Sequence, residues 1–230
     1  VADQVSRALG QRELRRAHQL LEVVSRATAL AHAADTLEEA CLGVLETVCE
    51  GLGWAAGTML VPDPDLPGAF RTAGVMYAQH PERWGGDAEA WRRMRWSAGG
   101  GTAESRVLAT KAPAWEHLPS SATDHPSTAA ALAAGLRTAF AFPVLLQEEV
   151  VAVLVFGSDR DEAEPDEALL RVMADVGLQL GRVVERDRAR RKLAEGEARL
   201  AAILNAAPVG ISLARNRVIE AANEEFSKIV

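Results

Sequence analysis

Two interleaved apolar stripes open the chain. Between Glu13 and Ala34 one stripe runs Leu14, Ala17, Leu21, Val24, Thr28, Ala31, and the other runs Leu20, Val23, Ala27, Leu30, Ala34. Each steps by three and four, the period of an amphipathic helix. One stripe is enough to face a domain core. The second predicts another packing partner, most simply the same helix of a second copy; alanine filler around a one-stripe helix is the alternative. Asp35 and Thr36 are cap-type residues, and Glu38 and Glu39 follow where a first helical turn favours acids. A second helix is therefore expected to about Leu52, with Leu37, Cys41, Val44, Val48 and Leu52 on one face and Gly51 and Gly53 ending it. Trp54 to Val61 reads as a strand, "PDPDLPG" as a hairpin loop, and Phe70 to Tyr77 as the return strand.

From His80 to His125 the pattern is poor. A helix at "DAEAWRRMRW", a loop at Gly99-Gly100-Gly101, a second short helix and a short strand around Ala114 are expected, then an alanine-rich helix from Pro126 to Gly135. The signal then sharpens. Phe140, Phe142, Val144 and Leu146 alternate within Arg137 to Gln147, which predicts a half-buried strand. Glu148-Glu149 is the expected tight turn. Val150 to Phe156 is apolar at every position, as in a central strand covered on both faces. Pro165 falls where a helix begins, with Asp166 and Glu167 in its first turn. That helix can run to about Leu204, roughly 60 Å. Leu169, Met173, Val176, Leu180 and Val183 form a heptad-like seam, which breaks at "ERDRARRKL" and resumes shifted through Leu193, Leu200 and Ile203. This predicts a two-stranded coiled coil with a stutter near Asp187 to Arg191. The last residues hold two short strand-like runs, Gly210 to Ala214 and Arg217 to Glu220, with a turn at Arg215-Asn216 and a helix start near Asn223. Two strands and one helical turn bury no core of their own, so the chain is expected to stop inside its next domain.

Composition narrows the partners. The net charge of −7 over 230 residues argues against a nucleic-acid surface. Two cysteines are too few for a disulfide scaffold. No apolar run approaches a membrane span. The chain begins at Val1 with no signal peptide, so a cytoplasmic protein or an excised piece of one is expected. Five of the eleven aromatic residues are tryptophan against a single tyrosine.

The segments "GLGWAAGTML", "KAPAWEHL" and "AAGLRTAFAFPVLLQEEVVAVLVFGSDRDEAEPDEALLRVMADVGLQLGRVVERDRA" resemble a GAF domain of the kind that precedes PAS domains in bacterial signalling proteins. The tail "ARLAAILNAAPVGISLARNRVIEAANEEF" is similar to a PAS amino-terminus, and the helix between resembles a signalling helix. The resemblance implies an α+β fold. It has a central antiparallel sheet, amino- and carboxy-terminal helices on one face, and a ligand pocket on the other. Residues 1–186 would form the GAF-like domain, 187–204 a coiled coil and 205–230 a truncated PAS-like tail. Homodimer contacts would fall on Leu14, Leu21, Val24, Val176, Leu180, Val183, Leu193 and Leu200. Two departures stand out. "GGGTAESRVLAT" replaces the family's glycine-rich turn, and Glu148-Glu149 replaces a glycine-containing hairpin turn.

Catalytic chemistry is missing. Gly99-Gly100-Gly101 lacks the Lys-Ser/Thr of a phosphate loop, no Gly-x-Ser-x-Gly elbow occurs, and any output enzyme would lie beyond Val230. The histidines His18, His32, His80, His117 and His125 form no helical ligand pair. The acidic run from Asp159 to Glu167 lacks the glycine of an EF-hand loop. Cys41 and Cys49 lie on the apolar face of the second helix and read as packing residues. With no cysteine after residue 50, neither bilin attachment nor sulfoxide reduction is expected. Trp84, Trp91, Trp96 and Trp115 fall in the variable segment that the resemblance places on the pocket side, with His117, His125 and Arg137 near it in sequence. Three readings remain open there: a filled core, a pocket for an organic small molecule, and a haem site with a histidine ligand. For the chain as a whole, a sensory and dimerisation module is favoured, with a ligand-free structural spacer as the alternative and a haem- or pigment-binding sensor as a further one.

Overall fold

The computed structural model describes residues 2–83, 88–118, 125–160, 167–215 and 218–228. Its contacts divide the chain into two units, residues 1–185 and 186–230. The first unit opens with α1 (Ala2–Ala33) and α2 (Leu37–Leu52). Thr36 caps α2 by accepting from the Glu39 N–H at 3.2 Å, while the Glu39 carboxylate accepts from the Asp35 N–H at 3.1 Å. This reciprocal pair satisfies two otherwise orphaned donors. Gly53, at φ 71°, closes the helix in the left-handed conformation.

The sheet contains β1 (Ala56–Pro62), β2 (Phe70–Ala78), β3 (Ala114–His117), β4 (Thr138–Leu146) and β5 (Glu149–Ser158). Its order is β2-β1-β5-β4-β3 and every pairing is antiparallel. β5, apolar from Val150 to Phe156, occupies the centre, where its alternate residues meet different cores. Leu154 and Phe156 join the helix-side core, and Val153 the opposite one. The β4–β5 turn falls one residue earlier than expected. Leu146 pairs with Glu149, so Gln147 and Glu148 make the turn, and Gln147 carries φ 57°.

One face of the sheet is covered by α1, α2 and the first part of α6 (Glu167–Ala206). Pro165 and Asp166, at the expected start of that helix, lie outside the described residues. Phe140, Phe142 and Phe156 stack in this core with centroids 5.9–6.3 Å apart. Trp54 packs edge-on against Trp115 at 5.3 Å. The core face of α1 is Val23, Ala27 and Ala31, continued by Ala34 just past its end, while Leu21 is 67% exposed.

The expected intermolecular seam on α6 needs correcting. Val176, Leu180 and Val183 are fully buried in this chain's own core. A heptad-like spacing reports that a helix face is covered, but here the cover is the sheet of the same chain. The exposed apolar residues of α6 are others, among them Leu178, Leu193, Leu200 and Ile203.

Gly177 and Gly181 set the seat of α6. A Cβ added at Gly177 would collide with the Pro143 carbonyl oxygen, and one at Gly181 with that of Leu145. The helix therefore rests on the backbone of β4 with no side chain between them. Such close approach is a use only glycine serves.

The second unit holds the remainder of α6, the hairpin of β6 (Ser212–Arg215) and β7 (Val218–Ala222), and α7 (Glu224–Ser227). Asn216, half of the expected turn, lies outside the described residues. Asn223 organises the unit. Its Oδ1 accepts from Ile211 N–H at 2.8 Å and Phe226 N–H at 3.0 Å, and its Nδ2 donates to the Leu204 and Val209 carbonyls at 2.9 and 2.8 Å. The side chain is 3% exposed.

Two outcomes follow. Gly181→Ala is expected to cost about 1–3 kcal/mol from overpacking, whereas Gly196→Ala, on the same helix with open space around it, gains about 0.5–1 kcal/mol from helix propensity. Urea unfolding followed by circular dichroism reads both. Asn223→Asp, which cannot donate, is expected to lose the two bonds to Leu204 and Val209 and destabilise the second unit by about 1–3 kcal/mol. Faster hydrogen exchange at the Asn223 backbone N–H, which bonds the Ile211 carbonyl and not the substituted side chain, reports the lower stability.

Candidate functional site

On the face of the sheet away from α1 and α2, the cover is built from short elements: α3 (Ala88–Arg93), α4 (Ala103–Thr110) and α5 (Pro126–Ala133). They leave a cavity of about 200 Å³. Its floor is the outer face of β1, β2 and β5, including Thr58, Leu60, Met76 and Val155. Trp91, Trp96, the first turn of α4 and one side of α5 close it.

Each wall is held locally. Trp96 forms a two-way backbone bridge with Phe70, at 2.8 and 3.0 Å, which ties it to the start of β2. The ring is 1% exposed and its Nε1 has no hydrogen-bond partner among the described residues. Thr102 caps α4, its Oγ1 accepting from Ser105 N–H at 3.3 Å. This holds Glu104 in the first turn of α4, and it lines the same cavity as Glu116, which β3 supplies. His125 caps α5. Its Nδ1 accepts from Ser127 N–H at 3.2 Å, which leaves the proton on Nε2 to donate to the Arg95 carbonyl at 3.3 Å.

Glu116 is the most perturbed acid here. Burial pushes its carboxyl above the usual carboxylate range. Arg106, 3.5 Å away, opposes the shift, the charge of Glu104 adds to it, and the Ala103 N–H, which donates to the carboxylate, opposes it. The Arg106 guanidinium also donates to the Trp115 carbonyl at 2.7 Å.

The expected site residues divide. Trp91 and Trp96 line the cavity. Trp84 lies outside the described residues. Trp115 does not line the cavity; it pairs with Phe140 across β3–β4 and packs with Trp54 in the helix-side core. His117, of the same parity as Trp115 on a four-residue strand, is exposed, and so is Arg137. Neither lines the cavity. The residues that alternate with them, Glu116, Leu118 and Leu136, do. His125 stacks near Trp96, at 6.0 Å between centroids, as a cap rather than a wall. Sequence reasoning also passed over Glu104, Thr102, Ser127 and Thr128. Parity was the available signal on β3, and the cap position of Thr102 that on α4.

A haem does not fit. Among the described residues no histidine lines the cavity, both ring nitrogens of His125 are engaged, and the volume is on the scale of a benzene-sized site. The thiols are no better placed for covalent chemistry. Burial raises the Cys41 thiol, and pushes the Cys49 thiol up to about 12, so both are packed thiols rather than nucleophiles.

The sign of the Glu116 shift yields a stability prediction. A raised folded-state value means the folded protein holds the proton more tightly, so this group's contribution is lost as pH rises from about 4.5 through the raised value. Glu116→Gln is expected to melt higher than the parent chain at pH 7 and equally at pH 4. Thermal melts at the two pH values check it.

Comparison with known proteins follows the same lines. Residues 34–185 match the family model described as GAF domain. A search of the curated proteins found no match. Among solved structures, the GAF domain of a phosphoenolpyruvate-protein phosphotransferase from Coxiella burnetii is 17% identical with a TM-score of 0.57, covering 76% of this chain and 98% of that one. Free methionine-R-sulfoxide reductase from Neisseria meningitidis, solved with its substrate, is 14% identical with a TM-score of 0.57, covering 74% and 91%. The GAF domain of a protein assigned as a sensor histidine kinase from Pseudomonas syringae pv. tomato is 15% identical with a TM-score of 0.51, covering 80% and 99%. At these identities the likeness is one of fold. With the family model spanning residues 34–185, the sheet order and the placement of the helices, the chain belongs to the GAF domain family.

Proposed function

We propose that this chain is the sensory and dimerisation module of a cytoplasmic bacterial signal-transduction protein, a sensor histidine kinase or a similar protein. In this reading a small molecule in the cavity is reported through α6 to a PAS-like unit and then to an output domain. The observation that carries it is the continuity of α6. One unbroken 40-residue helix begins in the domain core, where Leu169 to Val184 are packed on the sheet, and continues to Ala206 with its apolar side chains exposed. A helix that only closed a domain would end where the core does. The GAF family is a sensory one, and the relative from Pseudomonas syringae is assigned to a sensor kinase.

Two copies would pair through exposed apolar residues of α1 and of outer α6, with Leu21, Leu193 and Leu200 at 62–67% exposure. Leu14 follows Leu21 on the same stripe. The charged stretch Asp187 to Arg191, bridged by an i,i+4 ion pair at 2.8 Å, would be the element that switches between two packings. Residues 205–230 would begin the PAS-like unit. No helix among the described residues is long and apolar enough to cross a membrane.

Sedimentation velocity tests the reading. The chain is expected to be a dimer at micromolar concentration, and the double substitution Leu193→Asp with Leu200→Asp to weaken dimerisation by about 100-fold or more, as two buried apolar contacts are lost. A monomer at every concentration overturns the proposal. A dimer whose melting no small molecule shifts is the ligand-free spacer instead.

A further inference from the structure

We infer that the cavity takes a small organic cation, a primary amine or an amidine on an apolar body, with Glu104 as its counter-charge. The inference rests on the ligand-binding reading above and adds the chemistry of the occupant.

Glu104 is 9% exposed and lines the cavity. Among the described residues its carboxylate has no hydrogen-bond donor and no cation. The charged group that faces it is another carboxylate, Glu116. Buried carboxylates are costly unless paired. The nearby cations are directed elsewhere. Arg106 bridges Glu116 and is held by the Trp115 carbonyl. Arg92 lies exposed at the rim. His125 engages Ser127 and the Arg95 carbonyl through its two nitrogens. The amide end of α4 favours a carboxylate at this position, but it supplies no counter-ion.

Two further features agree. Tryptophan faces attract cations, and Trp91 and Trp96 both border the space. Leu60, Met76 and Val155 supply apolar wall for the body of the ligand. A 150 Å³ apolar cavity holds benzene, so about ten non-hydrogen atoms fit the volume here. An anion would meet two carboxylates, and a neutral molecule would leave Glu104 unanswered.

Calorimetric titration of the full chain with benzylamine, benzyl alcohol and benzoate, three probes of one shape and different charge, tests this. Benzylamine is expected to bind about tenfold tighter than benzyl alcohol, with benzoate weakest, and Glu104→Gln to remove that preference. Benzyl alcohol, which lacks the charge, reports that the variant's cavity is intact. If benzyl alcohol binds the parent chain as tightly as benzylamine, the cation inference falls and the ligand pocket stands. A preference that survives Glu104→Gln overturns the assignment to Glu104. If none of the three binds the parent chain, the pocket reading falls with it.

Discussion

A sheet whose central strand is apolar on both sides must be covered on both sides, and that requirement shapes the whole molecule. Residues Val151 to Leu154 of β5 are buried without a polar interruption. Long amphipathic helices with complete apolar faces meet the first side. The second side receives three short helices and their connections, none with a continuous stripe. Short elements cannot tile a twisted sheet as completely as long ones. The space they leave is the cavity, and the two acids that line it come from the first turn of α4 and from the short edge strand β3.

Strand parity decides what faces that space. On β3, Trp115 follows Phe140 into the helix-side core, while Glu116 follows Ala139 to the cavity. The aromatic cluster that looks from sequence like a ligand wall is thus split between two cores. Trp91 and Trp96 do line the space, and they share it with two acids, Glu104 and Glu116. Glu116 illustrates the cost: burial raises its carboxyl, and the folded protein carries that penalty at neutral pH.

Much of the fold could be read before any coordinates. The period-two run of β4, the apolar β5 and the cap of α2 each carry a local signal that tertiary packing did not override. What escaped reading has physical causes. A four-residue strand such as "AWEH" has no alternation long enough to reveal its inner face. The spacing of Val176, Leu180 and Val183 is the same whether a partner helix or the chain's own sheet covers them. Gly177 and Gly181 sit inside an apolar helical run and announce nothing until the β4 carbonyls are placed beneath them. The cavity acids are four- and eight-residue-element details, set by caps and register rather than by composition.

The glycine contact also limits how α6 can move. A screw motion by one residue, about 100° of turn with about 1.5 Å of rise, would bring Leu178 and Arg182 over the carbonyls that now meet glycine. It would have to lift the helix off the sheet and open the core beneath it. Tilting about the two glycines needs neither, because the point of closest approach stays in place. The seat behaves as a hinge pin, and it restricts α6 to pivoting among the rigid-body motions available to a packed helix.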